Sequence, residues 1–425
     1  MKTRGLTLAL VLLLASFAAS AQEEGTTSAD RRAAHTPGLR QSVYEEMQEI
    51  QILAENDQVD EAQARLRALQ ETELSGYELA QTWFMMGYVH FQKEEFSAAQ
   101  TAYEKVLEFE ALPYGMQTNV LKTLAQLSMM NEDFSQALTY LERLMAIWET
   151  PEASVFALKA QSHYQLEQYD AALAALERAE QLEVEQGRIS KESWLLLKNA
   201  IYYQREDLDA MLGVVRQLVR HYPRDRYLLN MAAIYGELGD NRRQLSLMEP
   251  LYERGSLTTQ SHKVNLASLY LLNEIPVKAA RLLEREMELG SVEDSETHLE
   301  MLAQAWMAAA NLDAAIEPLE RAAELADDGE NYLVLARTQM TLTRWADAER
   351  SVGEAIAKGG LREVSEAYLL QGMARYNQKE FRAARSSFAQ AGENPASAEL
   401  AQRWMEYLER EEEKQALLQG RNTDS

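Results

Sequence analysis

The chain has 425 residues, 46% of them hydrophobic, with only 19 Gly and 8 Pro, a composition that supports packed structure and argues against wholesale disorder. Its formal charge of −25 opposes phosphate backbones and anionic headgroups, which argues against nucleic acid and anionic lipid as partners. The absence of cysteine excludes a disulfide framework, a thiolate metal site, a Cys nucleophile and a lipid-modified N-terminal Cys.

The first segment is "MKTRGLTLALVLLLASFAASAQEE". Lys2 and Arg4, a short apolar run and the small residues Ala19 and Ala21 mark residues 1–21 as a secretory signal cleaved after Ala21. No later segment is apolar enough to span a bilayer, so the mature chain is expected without membrane insertion, in a bacterial periplasm. Residues 22–40 are polar and unpatterned and read as a flexible leader.

From Gln41 a helical pattern sets in and recurs. Ala, Leu, Glu and Gln dominate, and such side chains lose little rotamer freedom in a helix. Turns such as "QKEEF", "MNEDF", "LEQYD" and "NQKEF" are each followed by a small residue. Those positions form a ladder: Ala62, Ala99, Ala137, Ala172, Met211, Gln244, Ala279, Ala315, Ala348 and Ala384, with intervals of 33 to 39 residues. A sustained period near 34 residues with two helices per unit is the signature of a tetratricopeptide array. In the second unit Trp83, Gly87, Phe96, Ala99 and Tyr103 occupy the pattern positions, and in the last Tyr368, Gly372, Phe381, Ala384 and Phe388 do. Small residues let neighbouring helices approach, while the bulky ones fill the space around the crossing.

The expected fold is therefore all-α: an α-solenoid of about ten helix pairs over residues 41–391, wound as a right-handed superhelix. The pattern degenerates around 192–255, where Met211 and Gln244 replace the small residue. Pro250 and Pro318 fall inside second helices and are expected to bend them. Residues 396–416 read as a capping helix, and 417–425 as a disordered tail.

No catalytic signature is present: no G-x-G-x-x-G, P-loop, G-x-S-x-G or H-E-x-x-H. A non-enzymatic chain without cofactor is expected. The six histidines are dispersed, and His90 and His163 fall where repeat units carry a packing Tyr. Met85–Met86 and Met129–Met130 raise a Cu(I) carrier as one alternative, although core filling and an adaptable surface explain them better.

The informative positions face the hollow of such an array, on the first helix of each unit. They give Gln81, Phe84, Tyr88 and Phe91, then Asn119, Lys122, Gln126 and Met129, then Gln161 and Tyr164, then Tyr203. Amides and rings predominate there and acids are nearly absent. Rings supply buried area and amides pair with backbone, as a bound helix or extended peptide requires. With Lys122 the one basic residue among these N-terminal positions, a clamp of several cations on a C-terminal carboxylate is not expected.

The string "YELAQTWFMMGYVHFQKEEFSAAQTAYEKVL" and the exported, acidic, cysteine-free array resemble bacterial tetratricopeptide proteins encoded with the ExbB, ExbD and TonB energy-transduction components. The resemblance implies a periplasmic interaction scaffold supporting TonB-dependent uptake at the outer membrane, with TonB, ExbB or ExbD among its partners. A basic, Pro-rich segment of the TonB type would suit an acidic array electrostatically. The alternatives are a scaffold for outer-membrane assembly, cell-wall synthesis or polysaccharide export, and the Met/His metal carrier.

Overall fold

The computed structural model describes residues 38–110 and 112–423, with side chains as far as Lys414. The expected signal sequence and residues 22–37 lie outside the described residues, as do Asp424 and Ser425. Among the described residues there are 21 α-helices and no strand. The chain divides after Glu206 into two compact units.

The first unit holds α1 (Gln41–Glu55), α2 (Val59–Gln70), α3 (Gly76–Gln92), α4 (Phe96–Val106), α5 (Tyr114–Met130), α6 (Phe134–Ile147), α7 (Ala153–Gln165), α8 (Tyr169–Glu185) and α9 (Glu192–Gln204). The second holds α10 (Leu208–His221), α11 (Asp225–Glu237), α12 (Asn241–Glu253), α13 (Gln260–Leu272), α14 (Pro276–Glu288), α15 (Glu296–Ala308), α16 (Leu312–Leu325), α17 (Glu330–Thr341), α18 (Trp345–Lys358), α19 (Val364–Asn377), α20 (Phe381–Gly392) and α21 (Pro395–Thr423). Within each unit successive helices pack as hairpins, and hairpin stacks on hairpin, which makes each an α-solenoid.

The first helix of each pair stops in the same way. Asp57, Glu94, Glu132, Glu167, Glu206, Gly239, Glu274, Ala310, Thr343 and Lys379 all have left-handed backbone, with φ from 55° to 73°. Each stands five residues before a rung of the ladder. The next residue's N–H then reaches back across the turn, as from Glu95 to the His90 carbonyl at 2.9 Å and from Ile275 to the Tyr270 carbonyl at 2.8 Å. These bonds satisfy carbonyls that the helix end would otherwise orphan.

The second helix then begins, and its ladder residue is driven into the crossing. All eight ladder alanines are 0% exposed. Opposite Ala99 and Ala384 the glycines leave room for a ring: a Cβ on Gly87 would lie 2.8 Å from the Tyr103 ring, and one on Gly372 2.5 Å from the Phe388 ring. The unit around Gln244, which looks degenerate in sequence, uses the same device in another place. The Gln244 amide lies where a Cβ on Gly236 would be, 2.9 Å away, so the larger side chain is housed by a missing one.

Pro250 and Pro318 sit inside α12 and α16, second helices of their pairs, and both helices continue past them. The last helix runs to Thr423, through most of the tail expected to be disordered, its Glu-, Gln- and Leu-rich sequence favouring helix as far as Gln419. Arg40, expected at the end of a flexible leader, is tied down: its backbone N–H and guanidinium both donate to Glu78, a residue only 1% exposed. Glu78 also closes a capping box with Ser75 at the start of α3. Arg40 foremost, against the cost of burial and with the Ser75 and Arg40 amides helping, draws the Glu78 carboxyl down to about 2.

A second buried carboxylate belongs to the other unit. Glu286, 4% exposed, accepts from Lys263 Nζ at 2.5 Å, from Ser291 Oγ at 2.5 Å and from Tyr252 Oη at 2.6 Å. It thereby joins α12, α13 and α14. Burial opposes its charge, but the three donors prevail and set its pKa at about 2.

Candidate functional site

Three consecutive first helices of the first unit, α5, α7 and α9, meet along one open cleft of about 540 Å³. Lys122 and Gln126 come from α5, and Ser154, Ala157, Leu158, Gln161, Tyr164 and Gln165 from α7. Ser193, Trp194 and Leu197 come from α9, with Lys191 as its N-cap. The helical repeat brings these residues to one face: Ser154, Ala157, Leu158, Gln161, Tyr164 and Gln165 follow the i, i+3, i+4 spacing of a single stripe.

The floor is apolar. Trp194 is 6% exposed, and Leu158 and Leu197 are half-buried beside it. Lys191 Nζ stands 5.0 Å from the centre of the Trp194 ring. The Tyr164 ring is held from below by Tyr169, with centroids 6.1 Å apart. The polar groups are largely unspent. Among the described residues the side chains of Gln126, Gln161 and Gln165 make no hydrogen bond. An amide offers both donors and an acceptor, so these three can pair with the backbone of an extended chain.

Charge at the rim is organised around Glu152, the N-cap residue of α7. Its carboxylate accepts from Lys122 Nζ at 3.3 Å and from Ser154 Oγ at 3.0 Å. Burial works against the charge, but Lys122, Ser154 and Lys191 overcome it and hold this carboxyl below the usual range.

Four of the sequence-predicted residues, Lys122, Gln126, Gln161 and Tyr164, are thus brought together in the cleft. Asn119 and Met129 lie half-buried elsewhere on α5, and Tyr203 stands 66% exposed at the far end of α9. The residues of α3 go a different way. Gln81 donates to Tyr77 Oη at 2.7 Å, Phe84 meets the Tyr103 ring edge-on at 5.5 Å, and Phe91 leans on Phe96 at 5.8 Å. Tyr88 is corrected outright. It is 2% exposed, packed in one core cluster with Val43, Met47 and Ile50 of α1, and no ligand in a hollow reaches it. A ring of that size at that position fills the space between adjacent first helices.

The residues that sequence reasoning missed are Lys191, Trp194, Leu197 and Leu158. The lysine precedes the first residue of α9 and lies outside the repeat positions that face a hollow. The Trp stands at the head of a unit whose ladder residue, Met211, broke the pattern.

The other candidates sit in the framework. His90 Nδ1 is 2.6 Å from Glu95 Oε2 and its Nε2 is 3.3 Å from Gln63 Nε2; His163 Nδ1 is 2.7 Å from Gln168 Oε1. Met85 and Met86 are buried in the core, so neither thioether is offered to solvent. Among the described residues no group of three or more His, Asp or Glu could hold a metal ion, and no helix is long and apolar enough to cross a membrane.

The sequence model of the tetratricopeptide repeat matches residues 80–111 and 153–183, which are α3 with α4 and α7 with α8. The chain carries tetratricopeptide repeats. Among solved structures, it is similar to the C-terminal part of a tetratricopeptide repeat-containing protein from Cytophaga hutchinsonii, at 16% identity over 57% of this chain and 97% of that one, with a TM-score of 0.39. It is similar to a tetratricopeptide repeat protein from Parabacteroides merdae, at 17% identity over 60% and 98%, with a TM-score of 0.32. It is also similar to YrrB, described as a tetratricopeptide repeat protein with an unusual peptide-binding site, at 15% identity over 44% and 95%, with a TM-score of 0.36. No curated protein matches the chain. The second matched repeat, α7 with α8, is the one that supplies half of the cleft's lining.

Proposed function

We infer that the protein is a non-enzymatic, exported interaction scaffold that binds an extended segment of a protein partner in the cleft between α5, α7 and α9. One observation carries this reading: three unengaged amides and a Lys pair surround a floor of Trp194, Leu158 and Leu197. Apolar side chains of a ligand would cover the floor, while its backbone would take up the free amides. The tetratricopeptide repeats support protein binding in general.

The setting proposed is the periplasm, as an accessory of a TonB-dependent transport system, with TonB, ExbB or ExbD among the partners. It rests on the signal-like N-terminus and on the resemblance of the repeat sequence. Sequencing of the secreted chain should begin at Gln22. A photo-crosslinker placed at Gln161, in the cleft, should capture the partner in cells, while one at Glu177, exposed on α8, should not. Crosslinks that never contain TonB, ExbB or ExbD would discard the transport setting. Capture of a β-barrel assembly or polysaccharide-export component in their place would move the scaffold there. Equal capture from both positions would discard the cleft.

A further inference from the structure

The cleft already has a carboxylate at its rim, and it is the chain's own. Glu152 is held by Lys122 and Ser154, both of which line the cleft, and Lys191 pulls on it from the next helix. Around that place the chain has withdrawn its other negative charges. α5 and α7 contain no Asp or Glu at all, and α9 contains only Glu192, in a protein of net charge −25. Lys191 makes no ion pair of its own among the described residues: it stands over the Trp194 ring and acts on Glu152 and Glu183 only at longer range. The lining of the cleft itself thus holds two lysines and no acid, inside an acidic molecule.

We propose that the cleft takes an acidic, extended segment of its partner, with internal carboxylates bound by Lys122 and Lys191, and that Glu152 holds this place until the segment displaces it. The proposal rests on the cleft being a peptide site and adds the charge of the peptide and a built-in competitor. In an extended segment alternate side chains point to opposite faces, so apolar residues between the acids reach Leu158, Trp194 and Leu197. Gln126 and Gln161 take the backbone between them. A basic segment is repelled here.

The test uses the mature chain and three labelled, end-blocked short peptides, alternating Leu with Glu, with Gln or with Lys. The Glu peptide should bind about tenfold tighter than the Gln peptide, lose affinity with added salt, and far exceed the Lys peptide. Lys122→Gln and Lys191→Gln should each weaken it about fivefold. Glu152→Gln should tighten it about threefold, since the competing charge is gone. A folding defect weakens binding and cannot produce that gain. Equal binding of the Glu and Gln peptides would overturn the acidic preference while leaving the peptide cleft intact. Tighter binding of the Lys peptide, binding of none of the three, or no gain from Glu152→Gln would also overturn it.

Discussion

The ring of Phe388 occupies the space where the side chain of residue 372 would begin. A Cβ on Gly372 would stand 2.5 Å from Phe388 Cε1, and the ring is 0% exposed and stacked on Trp404 at 5.5 Å, so it has nowhere to go. Gly372→Ala gains about 1 kcal/mol of helix propensity but must push that ring. The net expected loss is about 1–3 kcal/mol. Chemical denaturation measures it, and Phe388→Leu in the same chain should make the alanine far less costly. Additive losses from the two changes would contradict the close contact.

Thr343 is the one β-branched residue among the left-handed turn positions, with φ 60° and an exposed side chain. Its Cβ crowds the following carbonyl, at a cost of about 1–2 kcal/mol, part of which glycine returns as unfolded-chain entropy. Thr343→Gly should therefore raise stability by about 0.5–1 kcal/mol, and Gly239→Thr should lower it by a like amount. A thermal scan of both variants decides this, and a fall for Thr343→Gly would count against it.

Lys263→Met should cost about 3 kcal/mol, because it leaves the Glu286 carboxylate buried with only neutral donors. Adding Glu286→Gln should recover part of the loss, since no charge then remains to be compensated. A double-mutant cycle in urea gives the coupling, and a coupling near zero would show that the pair is not felt.

Both buried carboxylates, Glu78 and Glu286, are drawn from the ordinary 4.5 down to about 2. A carboxyl that is more acidic folded than unfolded contributes stability that is complete above the unfolded value. That contribution is lost as the pH falls through the folded value. Stability should thus hold above about pH 5 and decline between about pH 4.5 and 2. Glu286→Gln should flatten part of that decline, and an unchanged slope would remove this residue as its source.

Arg40→Ala strips the side-chain partner from a carboxylate that stays buried. Because the guanidinium is itself largely exposed, the expected loss of global stability is small. It should appear locally, as faster amide exchange in α1 and the first turn of α3. Unchanged exchange there would mean that the leader's end is not anchored through this contact.

How much of this was legible in sequence depended on whether one residue or two carried the information. The ladder alanines were readable because a small side chain at a fixed interval needs no partner to be interpreted. Gln244 looks out of pattern because its meaning lies in Gly236, eight residues earlier, which no single-position pattern records. The repeat position of Tyr88 points to the hollow, yet its ring packs in one cluster with Val43, Met47 and Ile50 of α1. Half of the cleft was missed for a related reason. Lys191 sits at a helix cap, and Trp194 heads a unit that departs from the repeat, yet both are placed by α7 packing beside α9.

The left-handed turn between paired helices has a consequence for how such a chain can change. The ten turns use six residue types, Glu in five of them and Asp, Gly, Ala, Thr and Lys once each, so the backbone shape recurs more strictly than the residue. A gene segment copied or lost between one turn and the next adds or removes a whole hairpin and leaves the neighbouring interfaces in phase. An array of this kind can therefore change length by whole repeats without disturbing the packing on either side.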